Sequence, residues 1–389
     1  MKRICFIVDS IFSIGGVQRV TAVIAKELAK DNDVSIVTFD KPELQDTTLY
    51  NLKEASITYR FVSYPRISKI NNYICKAYSW WYLKIQPQAK WCSDLYAHSS
   101  FPSESQNSLS KELKQGQYDV IIGVHAPLAA RLATIKRHLP SAKCIGWLHN
   151  SYEALFGEES LYIGAKRCRH YIYQFRKLND VVVLCKDDAN RYTTFDNKFT
   201  PTVIYNPLTL KQGKTSVGTS KSFLTVGRFT PLHKGIDLLI KAFHLFSQKN
   251  QDWNLDIVGE GTEESSFRKL IIQYKLEDRI TIHPFTNNIQ EYYANAQIYV
   301  LSSRWEGMPL VLVEAMAHGL PIVTSDLPVS KEIMGDFGMY FENGNIEDLA
   351  KKLEEATHID WQAKSKEALS IAQRFDIENI IKQWKELIE

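Results

Sequence analysis

The chain has 389 residues, 44% of them hydrophobic, which is enough to bury two ordinary cores rather than one. Its formal net charge is +3, with 47 Lys and Arg interspersed among 44 Asp and Glu, so nothing calls for nucleic acid and any functional positive charge must be local. Six cysteines (Cys5, Cys75, Cys92, Cys144, Cys168, Cys185) lack the paired spacing of a zinc or dithiol motif and read as reduced thiols of a cytosolic protein. No apolar run reaches the ~20 residues that cross a bilayer.

The start resembles a signal peptide until its apolar run stops at Asp9, so a buried first strand is expected over Ile4 to Val8. Ser13-Ile14-Gly15-Gly16-Val17-Gln18-Arg19 follows it and opens a helix, a turn whose amides can face an anion but which lacks the full dinucleotide fingerprint. Further strands are expected over Val34 to Phe39, Val120 to Val124, Cys144 to Leu148 and Val181 to Leu184. Two of these end on a histidine, His125 and His149, and a lone histidine at a strand end is either structural or catalytic.

An oversized insertion precedes Val120. From Ala55 to Ser93 there is no acidic residue, while basic residues including Lys76 and Lys84 alternate with aromatics including Trp80 and Trp81. That mixture suits a bilayer interface with anionic lipid, and equally a helical pair whose aromatics form a small core. Lys166, Arg167, Arg169, Arg176 and Lys177, mixed with Tyr171, Tyr173 and Phe175, either extend the basic surface or form a solvated helix face.

The segment Tyr205 to Ser220, rich in Lys, Gly, Ser and Thr, reads as the connection between domains. Beyond it, strands are expected over Ser222 to Val226, Leu255 to Val258, Ile280 to His283, Ile298 to Leu301 and Pro321 to Thr324, with helices over Gly235 to Ser247, Thr262 to Tyr274 and Pro309 to His318. Alternating strands and helices in both halves predict two doubly wound parallel sheets. The domains are 1–205, with the insertion at about 55–93, and 206–374; an amphipathic helix over 375–389 is expected to pack back on the first domain.

Two clusters in the second half carry chemistry. Thr225-Val226-Gly227-Arg228-Phe229-Thr230-Pro231-Leu232-His233-Lys234-Gly235 brings Arg228 and Lys234 to the carboxyl edge of a sheet. A guanidinium grips phosphate bidentately and an ammonium adds a movable point charge, as a departing diphosphate requires, although either cation alone reads as ordinary surface charge. In Ser302-Ser303-Arg304-Trp305-Glu306-Gly307-Met308-Pro309-Leu310-Val311-Leu312-Val313-Glu314, Gly307 permits close backbone approach, Pro309 is placed to open a helix in its first turn, and Met308 and Leu310 keep amides that Pro309 lacks. Glu306 precedes that helix and Glu314 lies inside it, so the two carboxylates face different parts of a ligand, unless Glu314 is a helix glutamate satisfied by a structural cation.

These motifs, with Val258-Gly259-Glu260-Gly261 between them, resemble the family 4 retaining glycosyltransferases of the GT-B fold over almost the whole second half. The resemblance implies two Rossmann-like domains facing a central cleft, Arg228 and Lys234 on the donor diphosphate, Glu306 on the transferred sugar and Glu314 on the ribose. It implies a base site near Pro284 to Ile289, with uridine expected over guanosine. In the first half the likeness is looser: it implies Gly15 and Gly16 between donor phosphate and acceptor, Arg19 on an acceptor phosphate, and His125 on the donor sugar, though many members carry an acidic residue where Ala126 stands.

The expected reaction transfers a sugar from a nucleoside diphosphate to a hydroxyl of a glycan or polyprenyl-linked saccharide on the inner face of a bacterial membrane. No glycosidase-like carboxylate pair and no DxD-like motif is evident, so metal-independent charge stabilisation with no cofactor is expected. A sugar phosphorylase or synthase would share the donor cluster but take a soluble acceptor, an epimerase would need no acceptor, and a non-catalytic nucleotide-sugar-binding subunit would turn nothing over.

Overall fold

The buried apolar runs form strands covered on both faces, as parallel sheets require. In the computed structural model, which describes residues 1–158, 160, 162–210 and 213–389, the first half contains β1 (Arg3–Val8), β2 (Asp33–Thr38), β3 (Ile57–Phe61), β4 (Val120–Val124), β5 (Lys143–Trp147), β6 (Asp180–Val183) and β7 (Thr202–Val203). They pair in parallel in the order β3-β2-β1-β4-β5-β6-β7. The second half contains β8 (Ser222–Val226), β9 (Asn254–Val258), β10 (Ile280–His283), β11 (Ile298–Leu301), β12 (Ile322–Ser325) and β13 (Met339–Phe341), in parallel order β10-β9-β8-β11-β12-β13. Both orders reverse once, between β1 and β4 and between β8 and β11. Ligands of open α/β sheets bind at the carboxyl ends of the strands at such reversals.

The chain divides into one compact unit of Met1–Tyr205 with Ile380–Glu389 and a second of Asn206–Asn379. Each has its own core, the first including Ile7, Val37, Ile121, Phe175 and Tyr192, the second including Phe223, Phe243, Phe246, Trp253 and Leu349. Of the segment read as a connection, positions 211 and 212 lie outside the described residues.

Three strands escape the apolar-run reading. β3 falls inside the segment taken as insertion, which corrects that reading: it is an edge strand with no fully buried residue, and its Arg60 pairs with Glu112 at 2.8 Å, so the sequence shows no apolar block. β7 and β13 are two and three residues long. The insertion proper consists of helices Lys69–Ile85, Lys90–Ser100 and Ser103–Gly116.

The last helix, Ile377–Ile388, buries Ile380, Ile381, Trp384 and Ile388 on one stripe. Trp384 is fully buried with its ring 4.7 Å from that of Trp147. At its carboxyl end Lys2 Nζ donates to the Ile388 carbonyl at 2.6 Å and Lys143 Nζ donates to that of Leu387. Cations there satisfy orphan carbonyls and oppose the helix dipole.

Candidate functional site

At the β8/β11 reversal, the loops after β8, β9 and β11 pack closely enough that glycine is required. Gly235 has φ 61°, and a Cβ there would stand 1.9 Å from the Ser302 carbonyl oxygen. Gly259 has φ 153°, and its Cβ would stand 1.9 Å from the Gly227 carbonyl oxygen. Backbone bonds from Gly227 N to Val258 O (3.0 Å) and from Arg304 N to His233 O (2.8 Å) fix the three loops to one another.

Within that frame Lys234 Nζ lies 2.7 Å from Glu306 Oε1, to which Ser303 Oγ also donates at 2.6 Å; His233 Nε2 is 3.7 Å from Oε2. The Glu306 side chain is only 8% exposed. Burial alone would push its carboxyl up, but the charge of Lys234 and the hydrogen bonds of His233 and Lys234 hold it down at about 2. It is therefore an anion that accepts hydrogen bonds and does not donate them. Sequence reading placed Lys234 on phosphate and Glu306 on sugar as separate groups; here they are one pair. Arg228 is exposed on the same loop, and the rest of the frame is braced by Arg304 on Asp237 at 2.8 Å and by His233 stacked on Trp305 at 5.1 Å.

Glu314 lies in helix Leu310–Ala317 and is 2% exposed, with Tyr293 Oη donating to Oε2 at 3.0 Å and Thr209 Oγ1 3.5 Å from Oε1. Both these groups are neutral hydroxyls. Pro309 stands at the N-cap rather than in the first turn, because the helix begins at Leu310. Met308 is buried, and its sulfur accepts the Asn206 amide at 2.9 Å; Gly307 and Leu310 are half-exposed. The first amides of a helix lack intrahelical acceptors, which leaves this end suited to an anion or a sugar oxygen.

The β1/β4 reversal of the first unit gathers a second cluster. His125 closes β4 at φ 75°, a strained conformation for a side-chain-bearing residue, with its amide on the Trp147 carbonyl at 2.8 Å. Its ring lies 5.5 Å from that of His149, which lies 4.3 Å from Trp147. Burial holds both imidazoles below their ordinary pKa, while the charge of Asp9 at the end of β1 draws His125 the other way. Gly15 caps helix Gly16–Leu28, but its amide donates to Tyr50 Oη at 2.8 Å, which corrects the expectation that both glycine amides face an anion. Gly16 is exposed, and Arg19 is half-buried in the first turn of that helix.

Ser303, His233, Tyr293, Asp9 and Tyr50 were not singled out from sequence. Ser303 and His233 adjoin the motifs and could have been; Tyr293, Asp9 and Tyr50 reach the site only through tertiary packing. Lys76, Trp80, Trp81 and Lys84 all lie exposed on helix Lys69–Ile85, where only Tyr82 is buried. Among the described residues, no three His, Cys, Asp or Glu side chains converge where they could hold a metal ion, and no helix is long and apolar enough to cross a membrane.

Residues 209–374 match the family described as Glycosyl transferases group 1. An uncharacterized glycosyltransferase of Haemophilus influenzae is 30% identical over 407 aligned positions that cover all of both chains. The poly(ribitol-phosphate) alpha-N-acetylglucosaminyltransferase of Staphylococcus aureus is 27% identical over 64% of this chain and 51% of its own length, so the match spans about half of that relative. Among solved structures, Anabaena HepE with UDP and glucose superposes with a TM-score of 0.76 at 19% identity, covering 100% of this chain and 99% of that one. This likeness is one of fold, the two-domain GT-B arrangement of parallel α/β sheets.

Proposed function

The chain belongs to the group 1 glycosyl transferases, and from that premise we propose that it is a retaining, metal-independent hexosyltransferase. It moves a sugar from a uridine diphosphate donor to a hydroxyl of a glycan or polyprenyl-linked saccharide in bacterial surface polysaccharide synthesis. The observation that carries this reading is the buried Lys234–Glu306 pair, 2.7 Å apart at the carboxyl edge where the second sheet reverses. The solved HepE complex with UDP and glucose and the polymer-directed activity named for the Staphylococcus relative support the choice of donor and acceptor class.

In this reading Arg228 and Lys234 take up the negative charge that develops on the departing diphosphate. Glu306, kept ionised by Lys234, accepts hydroxyls of the transferred sugar and so orients its anomeric carbon. Glu314 and the Leu310 helix end hold the nucleoside, and Met308 N and Gly307 N lie on the path between them. His125, kept neutral by burial, accepts or donates one hydrogen bond to the sugar without adding charge. Gly16 and Arg19 face the acceptor. The basic aromatic helix Lys69–Ile85 rests on an anionic membrane at the cytoplasmic face, its exposed cations meeting lipid phosphates while its indoles sit at headgroup depth.

Incubating the purified protein with a panel of nucleotide sugars, with and without membrane extract, tests the reaction. Acceptor-dependent release of uridine diphosphate is expected. Release that needs inorganic phosphate, conversion of donor without acceptor, or no turnover of any donor would replace the proposal by a phosphorylase, an epimerase or a binding subunit respectively.

A further inference from the structure

A cavity of about 100 Å³ opens between helices Lys90–Ser100, Ala126–Ile135 and Cys168–Phe175 of the first unit. That is far below the roughly 300 Å³ of a pocket enclosing a drug-sized ligand, and it fits a small group rather than a whole sugar chain. Arg131 and Arg167 both line it, with Tyr96, Phe101, His170 and Tyr171, and no carboxylate is among the lining residues. Each guanidinium is positioned by neutral partners. Arg131 Nη1 donates to Tyr64 Oη at 3.0 Å and lies over the Tyr64 and Phe101 rings. Arg167 donates through Nε to Tyr96 Oη at 3.1 Å and through Nη1 to the Ile163 carbonyl at 2.7 Å. Arg131 also meets Asp9, 4.0 Å away with its side chain 58% exposed, a separation and exposure at which the pair is weak.

Two prepositioned guanidiniums with spare donors are held here by hydroxyls, a carbonyl and rings, and among the described residues the one carboxylate paired with either is the exposed Asp9. We propose that this cavity is an anion subsite, in which Arg131 and Arg167 clamp a phosphate monoester or diester of the acceptor. The proposal rests on the reading of the first unit as the acceptor side and names the acceptor class it takes. The aromatic walls cover the carbon skeleton next to the phosphate while the guanidiniums take its oxygens in fork geometry. His170, which burial drives down to about 3, stays neutral and does not add a third charge. The subsite is also correctly placed: Pro127 of the lining follows His125 by two residues, and Arg131 lies about 9 Å of helical rise beyond it. A phosphate held there leaves a neighbouring hydroxyl within reach of the β4 end.

Calorimetric titration of the full-length protein with sn-glycerol 3-phosphate, with neutral glycerol as control, tests the subsite. Titration with dihexanoyl phosphatidylglycerol and dihexanoyl phosphatidylcholine below their micellar concentrations, where the exposed helix Lys69–Ile85 has no vesicle to dock on, distinguishes a lipid headgroup from a soluble phosphoester as its source. Arg131→Gln and Arg167→Gln are each expected to weaken binding of the phosphoester, in one or both arms, at least tenfold, and Arg131→Lys to retain part of it. Arg228→Ala should leave this binding unchanged while weakening UDP, and Arg131→Gln should do the reverse, so failure of the subsite and failure of the donor reading are separable. Unaltered melting temperatures establish that the variants are folded. The proposal is overturned if folded Arg131→Gln and Arg167→Gln bind both probes as tightly as the parent, or if glycerol binds as well as its phosphate.

Discussion

Lys234 and Glu306 are each other's main electrostatic partner, and this makes their substitutions unequal. Lys234→Ala removes a cation from the proposed diphosphate grip and also strands a carboxylate that is 8% exposed. Turnover is expected to fall by about 100- to 1,000-fold, with a stability loss of about 3 kcal/mol from the orphaned charge. Glu306→Gln keeps the shape and removes the charge, so it should depress kcat with little change in melting temperature; unaffected transfer in both variants would remove the pair from the chemistry. A folded pKa near 2 for Glu306, against ~4.3 in the unfolded chain, means that its stabilising contribution is complete above pH ~4.5 and drains as pH falls towards 2. Glu314 is a separate case. If its buried carboxylate serves the ribose, Glu314→Gln raises the Kd for UDP by about tenfold, the worth of one charge-assisted hydrogen bond. If it serves only neighbours within the protein, Tyr293 and Thr209 among them, calorimetry will show UDP affinity intact and the melting temperature lowered.

At the level of elements, the helix Lys69–Ile85 spends almost none of its surface on the core. Ile70, Tyr73, Ile74, Trp80, Trp81 and Ile85 are exposed, as is Trp91 just beyond it, while Tyr82 turns inward to stack on Tyr96 at 4.4 Å with Tyr78 and Leu83 packed beside it. Large exposed apolar side chains gathered on one helix are the kind of surface through which the proposed docking would act, and the acid-free segment 55–93 gives it one sign of charge. Co-flotation with phosphatidylglycerol vesicles but not phosphatidylcholine is expected, and Trp80→Ala with Trp81→Ala should abolish it; equal flotation with both lipids would refute an electrostatic dock. The closing helix allows a different test. Trp384→Ala empties a fully buried indole site against Trp147 and should cost about 3–5 kcal/mol, read as a lower melting temperature. These elements also show what the sequence displayed. Strands such as Val120–Val124 and Ile298–Leu301 were legible to the residue, because strands buried on both faces are continuous apolar runs. β3 was not, because an edge strand has no such run. The candidate site divides likewise: the proposed Arg228, Lys234, Glu306 and Glu314 lie in local motifs, whereas Tyr293, which meets Glu314 from another helix, and Tyr50, which occupies the Gly15 amide, are brought there by tertiary packing alone.

Across the whole molecule, the two units differ in how protons act on them. The first buries His149 and His170 and half-buries His125, and desolvation holds all three imidazoles down, His170 to about 3. Because each folded pKa lies below the unfolded value of ~6.5, the unfolded chain binds more protons, and the stability these residues contribute is complete above pH 6.5 and lost as the pH falls. For His170 alone the loss at pH 5 is about 2 kcal/mol. Asp188 in the same unit opposes this: burial pushes its carboxyl up to about 6, so it takes a proton in the folded state and returns part of the loss. His98 and His138 of this unit are held down as well, and the lowered carboxyls of Asp40 and Asp94 act in the same direction, so the balance against Asp188 is a net acid sensitivity. In the second unit, by contrast, the buried Glu306 is held at about 2 and its pair survives to lower pH. Acidification from pH 7 to 5 is therefore expected to open the first unit before the second. Hydrogen exchange followed peptide by peptide should show protection lost over β4 and β5 while β8 and β11 keep theirs. Earlier loss over β8 and β11 would mean that the buried histidines do not set the acid response.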